Sequence, residues 1–108
     1  MDLRLGTLVR FEWHTRLRRT EATIGGGRYQ KVWVPASRPP EVPEVRTGVI
    51  VGKRTLADGE AQYYASDEPV SWSPKHHFEA YLVAYDLRRR PVYVLVEDIE
   101  VVEEPPWP

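Results

Sequence analysis

The sequence predicts an all-β fold, and three features carry that expectation. Apolar and polar residues alternate along GTLVRFEW, where Leu8, Arg10 and Glu12 stand opposite Val9, Phe11 and Trp13. Runs rich in valine, isoleucine and aromatic residues recur at RYQKVWV, GVIVG, AYLVAY and VYVLV, the composition of pleated, half-buried strands. Turn-forming residues separate these runs, at Gly25-Gly26-Gly27, at Asp58-Gly59 and at the RRRP segment ending in Pro91. At 108 residues the chain has the size of one domain and buries about two-thirds of its unfolded surface.

Each element follows in order. After the first strand, the polar run from His14 to Thr23 leads into the glycine triplet, and RYQKVWV returns as far as Pro35. Two β-type arms around glycines, which reach positive φ at no steric cost, read as a long hairpin over about residues 11–34. PASRPPEVPEV holds four prolines in eleven residues, so residues 35–44 are expected to form an extended connector. RTGVIVGKRTL is the next strand. Asp58-Gly59 is expected to turn it tightly, and EAQYYA to run back. SDEPVSWSPKHH reads as a long loop, EAYLVAYDL as a strand, RRRP as a turn and VYVLV as its partner strand. EDI is expected to make a one-turn 3₁₀ element before a short last strand at EVV. Residues 1–104 then form the domain, and PPWP (residues 105–108) an extended tail.

Residues 74–90 admit a second reading. Ser73-Pro74 is a good helix start and three arginines before Pro91 a good helix stop, with Phe78, Leu82 and Tyr85 on one face. That alternative makes the fold α+β. The strand reading is preferred because Tyr81, Val83, Tyr85 and Leu87 alternate with Ala80, Leu82 and Ala84, and because PVYVLV needs a partner.

Composition narrows the function. There is no cysteine, which excludes disulfides, thiolate metal sites and cysteine nucleophiles. No apolar run approaches the ~20 residues that span a bilayer, and the N-terminus lacks the apolar region of a signal peptide. No membrane association and a cytoplasmic location are therefore expected. Net charge is −1, but residues 1–40 carry eight Lys/Arg against three Asp/Glu, and residues 41–108 seven against thirteen. This asymmetry suggests a basic and an acidic face, unless folding pairs the halves. Arginine outnumbers lysine twelve to three and asparagine is absent, which fits a GC-rich coding genome.

The order of elements resembles an SH3-like β-barrel, in which a long first loop precedes a meander and a 3₁₀ turn leads into the closing strand. The positions that carry the resemblance are Gly6 to Phe11, Gly48 to Gly52, Tyr81 to Tyr85 and Val92 to Val102. GVIVGKRTL and AYLVAYDLRRRPVYVLVEDIEVV are also similar to stretches of small uncharacterised proteins of phages that infect GC-rich actinobacteria. The hairpin is longer than an ordinary SH3 first loop. The acidic first loop and aromatic groove of proline-binding SH3 domains are missing, so the resemblance implies a small barrel and not proline-peptide recognition.

Motifs for chemistry are sparse. A phosphate-binding Walker loop needs Gly-Lys-Ser/Thr opening a helix, whereas Arg28 and Tyr29 follow the glycines and head a strand. His14, His76 and His77 are the only histidines, and adjacent histidines on a strand point to opposite faces, so no metal site is expected. There is no G-x-S-x-G elbow and no local Ser/His/Asp group; Glu97, Asp98 and Glu100 read as a solvated turn. Neither an enzyme nor a cofactor is expected. PPEVP contains a P-x-x-P spacing but reads as a stiff connector.

The hairpin is the most informative surface. With the triplet as a three-residue loop, Ile24 faces Arg28, and one face carries Glu21 opposite Lys31, Arg19 opposite Trp33 and Thr23 opposite Tyr29. The other face carries Arg16, Arg18, Thr20, Ala22 and Ile24 with Gln30, Val32 and Val34. Arg19 over Trp33 is a cation–π contact worth about 0.5–1 kcal/mol. Arginine beside tyrosine and tryptophan is also what protein interfaces favour. Arg16, Arg18, Arg19, Arg28, Tyr29, Lys31 and Trp33 are accordingly the candidate binding residues, and a bacterial host protein the expected partner. Single-stranded nucleic acid is the alternative, since aromatics stack on bases and cations follow phosphates. A pI near 6.3, below the value above 9 typical of dedicated nucleic-acid domains, counts against it. A third reading is self-assembly, with the hairpin pairing between copies in a homodimer.

Overall fold

The computed structural model describes residues 2–63 and 69–107. Its elements are β1 (Leu8–Glu12), a 3₁₀ turn (Trp13–Thr15), β2 (Leu17–Gly25), β3 (Arg28–Pro35), β4 (Val45–Tyr63), β5 (Pro69–Ala84), β6 (Val92–Val94), a second 3₁₀ turn (Val96–Asp98) and β7 (Ile99–Glu103). All seven strands belong to one antiparallel sheet, and the described residues contain no α-helix. The all-β expectation holds. Residues 74–84 are strand, which disposes of the helical alternative there, and the 3₁₀ turn before the last strand lies at 96–98.

The sheet branches at β4. One edge of β4 pairs with β5 from Val49↔Ala84 to Tyr63↔Pro69. The other edge is shared, with β1 taking Val45–Val49 and β3 taking residues 59–62. Two units result. The body has the order β7-β1-β4-β5-β6, and the arm the order β2-β3-β4-β5. The expected barrel is corrected here: the sheet stays open, with no ladder between β6 and β7. β6 pairs with β5 on one edge, and the hairpin, through β2 and through Trp33 packed on Tyr93, lies beside β6 in place of β7.

The body core is set by strand alternation. Val9 and Phe11 of β1, Ile50 of β4, Tyr81 and Val83 of β5 and Val94 of β6 are buried together, with Leu3, Trp13, Val92 and Ile99 packed against them. Burial of each large apolar side chain contributes about 1.5–3 kcal/mol. Leu8, Arg10 and Glu12 point to the other side, as the alternation requires. Gly48 lies where β4 and β5 approach closely: a Cβ there would stand 2.6 Å from Val83 Cγ1 and 2.7 Å from the Ala84 carbonyl oxygen. At the tail, Trp107 folds back over Gly6, and Arg4 Nη2 donates to its carbonyl at 2.8 Å.

Two expectations for the middle of the chain are overturned. Asp58-Gly59 does not turn the chain; β4 passes through it with only a register shift, and Gly59 does not have positive φ. The residues expected to form the loop SDEPVSWSPKHH are strand β5 from Pro69 onward, while residues 66–68 lie outside the described segments. Pairing on both edges of β4 outweighs the local turn preference of Asp-Gly, and Pro74 sits at the register shift where a ladder bond is already lost.

Neighbours on β4 provide a test of the two faces. Ile50 is 1% exposed and Val51 46%. Ile50→Ala is expected to cost about 2–5 kcal/mol, and Val51→Ala to stay within about 0.5 kcal/mol, as read by urea denaturation. Equal costs would contradict the assigned core face.

Candidate functional site

The hairpin forms in the register expected along its length. Arg19↔Trp33, Glu21↔Lys31 and Thr23↔Tyr29 are direct partners. Only the tip differs, because Gly25 and not Ile24 faces Arg28, and the register shifts between Thr23 and Gly25. The loop is therefore the two residues Gly26-Gly27, with φ of 60° and 75°. Positive φ at both central residues is what a tight type I′ hairpin turn demands.

Most of the candidate binding residues already have work within the fold. Arg16 places its guanidinium 4.0 Å from the Trp13 ring centroid and donates from Nη1 to the Trp13 carbonyl at 2.6 Å. Arg46 covers the same ring at 4.9 Å, and Tyr85 meets it edge-on at 4.9 Å. Trp13 thus locks the root of the hairpin to the body. Trp33 packs edge-to-face on Tyr93 of β6 at 5.4 Å, and its backbone N–H donates to Asp58 Oδ1 at 2.8 Å. The Lys31 side chain, 20% exposed, lies 3.6 Å from Glu21 Oε2. Tyr29 is half-buried between Thr23 and Ala61. Arg18 and Arg28 face outward: Arg18 makes a 3.3 Å contact with the Ala36 carbonyl, and Arg28 stands exposed at the tip.

Arg19 joins a cluster that the sequence reading did not include. Its guanidinium lies 5.9 Å from the centre of Trp33 and 5.0 Å from that of Trp72, on β5. Trp72 remains 40% exposed. Gly59 makes room for it, since a Cβ there would lie 2.9 Å from the indole and 2.4 Å from the Ser73 carbonyl oxygen. The missed signal is Ser71-Trp72-Ser73, an alternation obscured by Pro69 and Pro74. The arm therefore offers a fixed guanidinium between two indoles on one face, and the outward arginines Arg18 and Arg28 on the other.

Two open grooves meet at the second 3₁₀ turn. The first, of about 580 Å³, is lined by Arg10, Phe11, Glu12, Val45, Asp98 and Glu100 among others. The second, of about 340 Å³, lies between hairpin and body, with Leu17, Trp33, Phe78 and Leu95 beside Asp58 and Asp98. Arg10 and Glu100 are paired across β1 and β7, at 2.7 Å. The Thr15 hydroxyl lining the first groove donates to the Glu12 carbonyl at 2.6 Å. His14 keeps a buried Nδ1 without a hydrogen-bond partner among the described residues. No group of three or more His, Cys, Asp or Glu that could hold a metal ion occurs among the described residues. Nor is any helix of the described residues long and apolar enough to cross a membrane.

No family model, curated protein or solved structure matches the chain.

Asp98 is pushed above its ordinary value of 3.8, first by burial and then by the neighbouring charge of Glu97, with His14 pulling the other way. The folded state therefore holds this proton more tightly than the unfolded chain. The resulting stabilisation is present in acid and lost as pH rises through the native pKa. Asp98→Asn is expected to raise the thermal midpoint at pH 7, with the advantage vanishing near pH 3 as the wild-type carboxyl protonates. An equal or lower midpoint for the variant at pH 7 contradicts this.

Proposed function

We propose that the chain is a non-enzymatic protein-binding module of phage origin, and that its arm engages an acidic surface of a bacterial host protein. The observation that carries the reading is the projection of the arm. The radius of gyration is 16.5 Å, against the ~13 Å of a compact domain of this size. Strands β2 and β3 and the distal part of β4 and β5 stand out from the body core, with Arg18 and Arg28 outward and Arg19 held between Trp33 and Trp72. A guanidinium fixed by two indoles loses little side-chain freedom on binding a carboxylate, which favours charge-assisted contacts. Structural duties of Arg16, Lys31 and Trp33 make them supports of the arm; its contact groups lie on both faces, Arg19 and Trp72 on one and Arg18 and Arg28 on the other.

The body order β7-β1-β4-β5-β6, with a 3₁₀ turn before the last strand, supports an SH3-like reading of the scaffold. In that reading the hairpin occupies the long first loop. The carboxylates of Glu12, Glu97 and Asp98 beside the hairpin root repel any anionic partner there and so confine the contact to the arm.

Affinity capture of the tagged protein from an actinobacterial lysate, with and without nuclease, tests the proposal. The expected result is one stoichiometric host protein that survives nuclease and is lost when Arg18 and Arg28 are both changed to Glu. Recovery of nuclease-sensitive material alone, with affinity falling by about 0.7–0.9 log unit per phosphate contact per tenfold salt, would assign the arm to nucleic acid instead.

A further inference from the structure

The arm ends in two strand edges, and they differ. On the β5 side Pro69 and Pro74 interrupt the row of N–H donors, followed by Lys75, which is how exposed edges are guarded against pairing. On the β2 side, nine residues run from Leu17 to Gly25 without proline or lysine, and no described strand other than β3 pairs with them. We infer that this β2 edge is a seam for a second copy of the chain. The inference deepens the reading of the arm as a contact element by naming a partner for its outer edge.

The hydrogen-bond parity of β2 fixes which groups are available. Trp33 sends its backbone N–H to Asp58 on β4, away from β2. Its partner Arg19 is therefore a non-hydrogen-bonded pair in the β2–β3 ladder, and so are Glu21 and Thr23, two and four residues on. The backbone N–H and C=O of Leu17, Arg19, Glu21 and Thr23 consequently face outward, while those of Arg18, Thr20 and Ala22 bond to β3.

An antiparallel pairing of two β2 edges must place outward residues opposite outward residues. Setting Glu21 opposite Glu21, or Arg19 opposite Arg19, puts like charges on the two-fold axis. The register centred on Thr20 avoids both. It places Arg19 opposite Glu21 of the second copy and Glu21 opposite its Arg19, with Leu17 and Thr23 pairing beyond them. Each of these pairs exchanges two N–H···O bonds, and the seam is isologous, as a closed dimer requires. Glu21 contacts Lys31 through Oε2 at 3.6 Å, which leaves Oε1 for the incoming guanidinium. Arg19, held over Trp33 and Trp72, has its donors on the same face.

Analytical ultracentrifugation of the full chain tests the seam. The wild type is expected at twice the 12.5 kDa of one chain. Arg19→Glu and Glu21→Arg should each weaken the dimer at least about tenfold, because each replaces two opposite-charge pairs with like-charge pairs. The double reversal should restore it, and so should mixing the two single variants, one of which carries glutamate and the other arginine at both positions. Amide exchange adds a readout independent of side chains: Arg19 and Glu21 amides are protected only in the dimer, those of Thr20 and Ala22 in either state. A wild type that stays monomeric at hundreds of micromolar overturns the inference, as does a dimer indifferent to both reversals. A monomer that still loses its host protein with the Arg18 and Arg28 changes leaves the proposed function standing and removes only the seam. A dimer that captures no host protein does the reverse.

Discussion

One strand holds the molecule together. β4 is 19 residues long, against the five or six of an average strand. At about 3.3 Å per residue a straight strand of that length would reach about 60 Å, more than the molecule's longest extent of 53 Å. Register shifts at 50/52, 58/59 and 62/63 bend it instead. Because β1 and β3 divide one of its edges, body and arm are two ends of a single sheet. The arm gains its rigidity from hydrogen bonding through β4 and β5, as an isolated two-stranded hairpin in water could not.

Around this strand, glycines and aromatics carry complementary parts of the packing. Gly48 and Gly59 sit where β5 crosses closest, one against Val83 and Ala84, the other beneath Trp72. Trp13 and Trp33 then tie the hairpin root down, the first between two guanidinium groups and the second against Tyr93. Cation–π contacts contribute about 0.5–1 kcal/mol each at exposed sites, so the arginine-rich segment serves the fold before it serves a partner. Arg18 and Arg28 face outward, and with the fixed Arg19 they keep the arm basic beside a body rich in carboxylates.

The hairpin register was legible in the sequence because short-range constraints determine it: a glycine turn, opposite charges at Glu21 and Lys31, and an arginine facing Trp33. The body strands were legible from alternation, as Val9 with Phe11 and Tyr81 with Val83 show. What escaped depends on distant pairing. Asp58-Gly59 has the composition of a tight turn, yet its glycine answers a steric demand from Ser73 and Trp72, residues far along the chain. SPKHH has the composition of a loop, yet Asp58↔His76 and Ala57↔His77 hold it in the ladder. Trp72 fell inside that misread stretch, so the aromatic half of the Arg19 cluster was hidden as well. Barrel closure failed for a related reason, since no local pattern reveals that the hairpin root, through Trp33 on Tyr93, lies beside β6.

β4 runs unbroken through Asp58-Gly59 and is shared by body and arm. Nuclear Overhauser contacts between backbone protons test it most directly. Cross-strand contacts are expected for Arg54 with Ala80, Ala61 with Trp72 and Tyr29 with Ala61 in the same molecule. Contacts between Ala57 and Glu60, closing a hairpin at Asp58-Gly59, would contradict it.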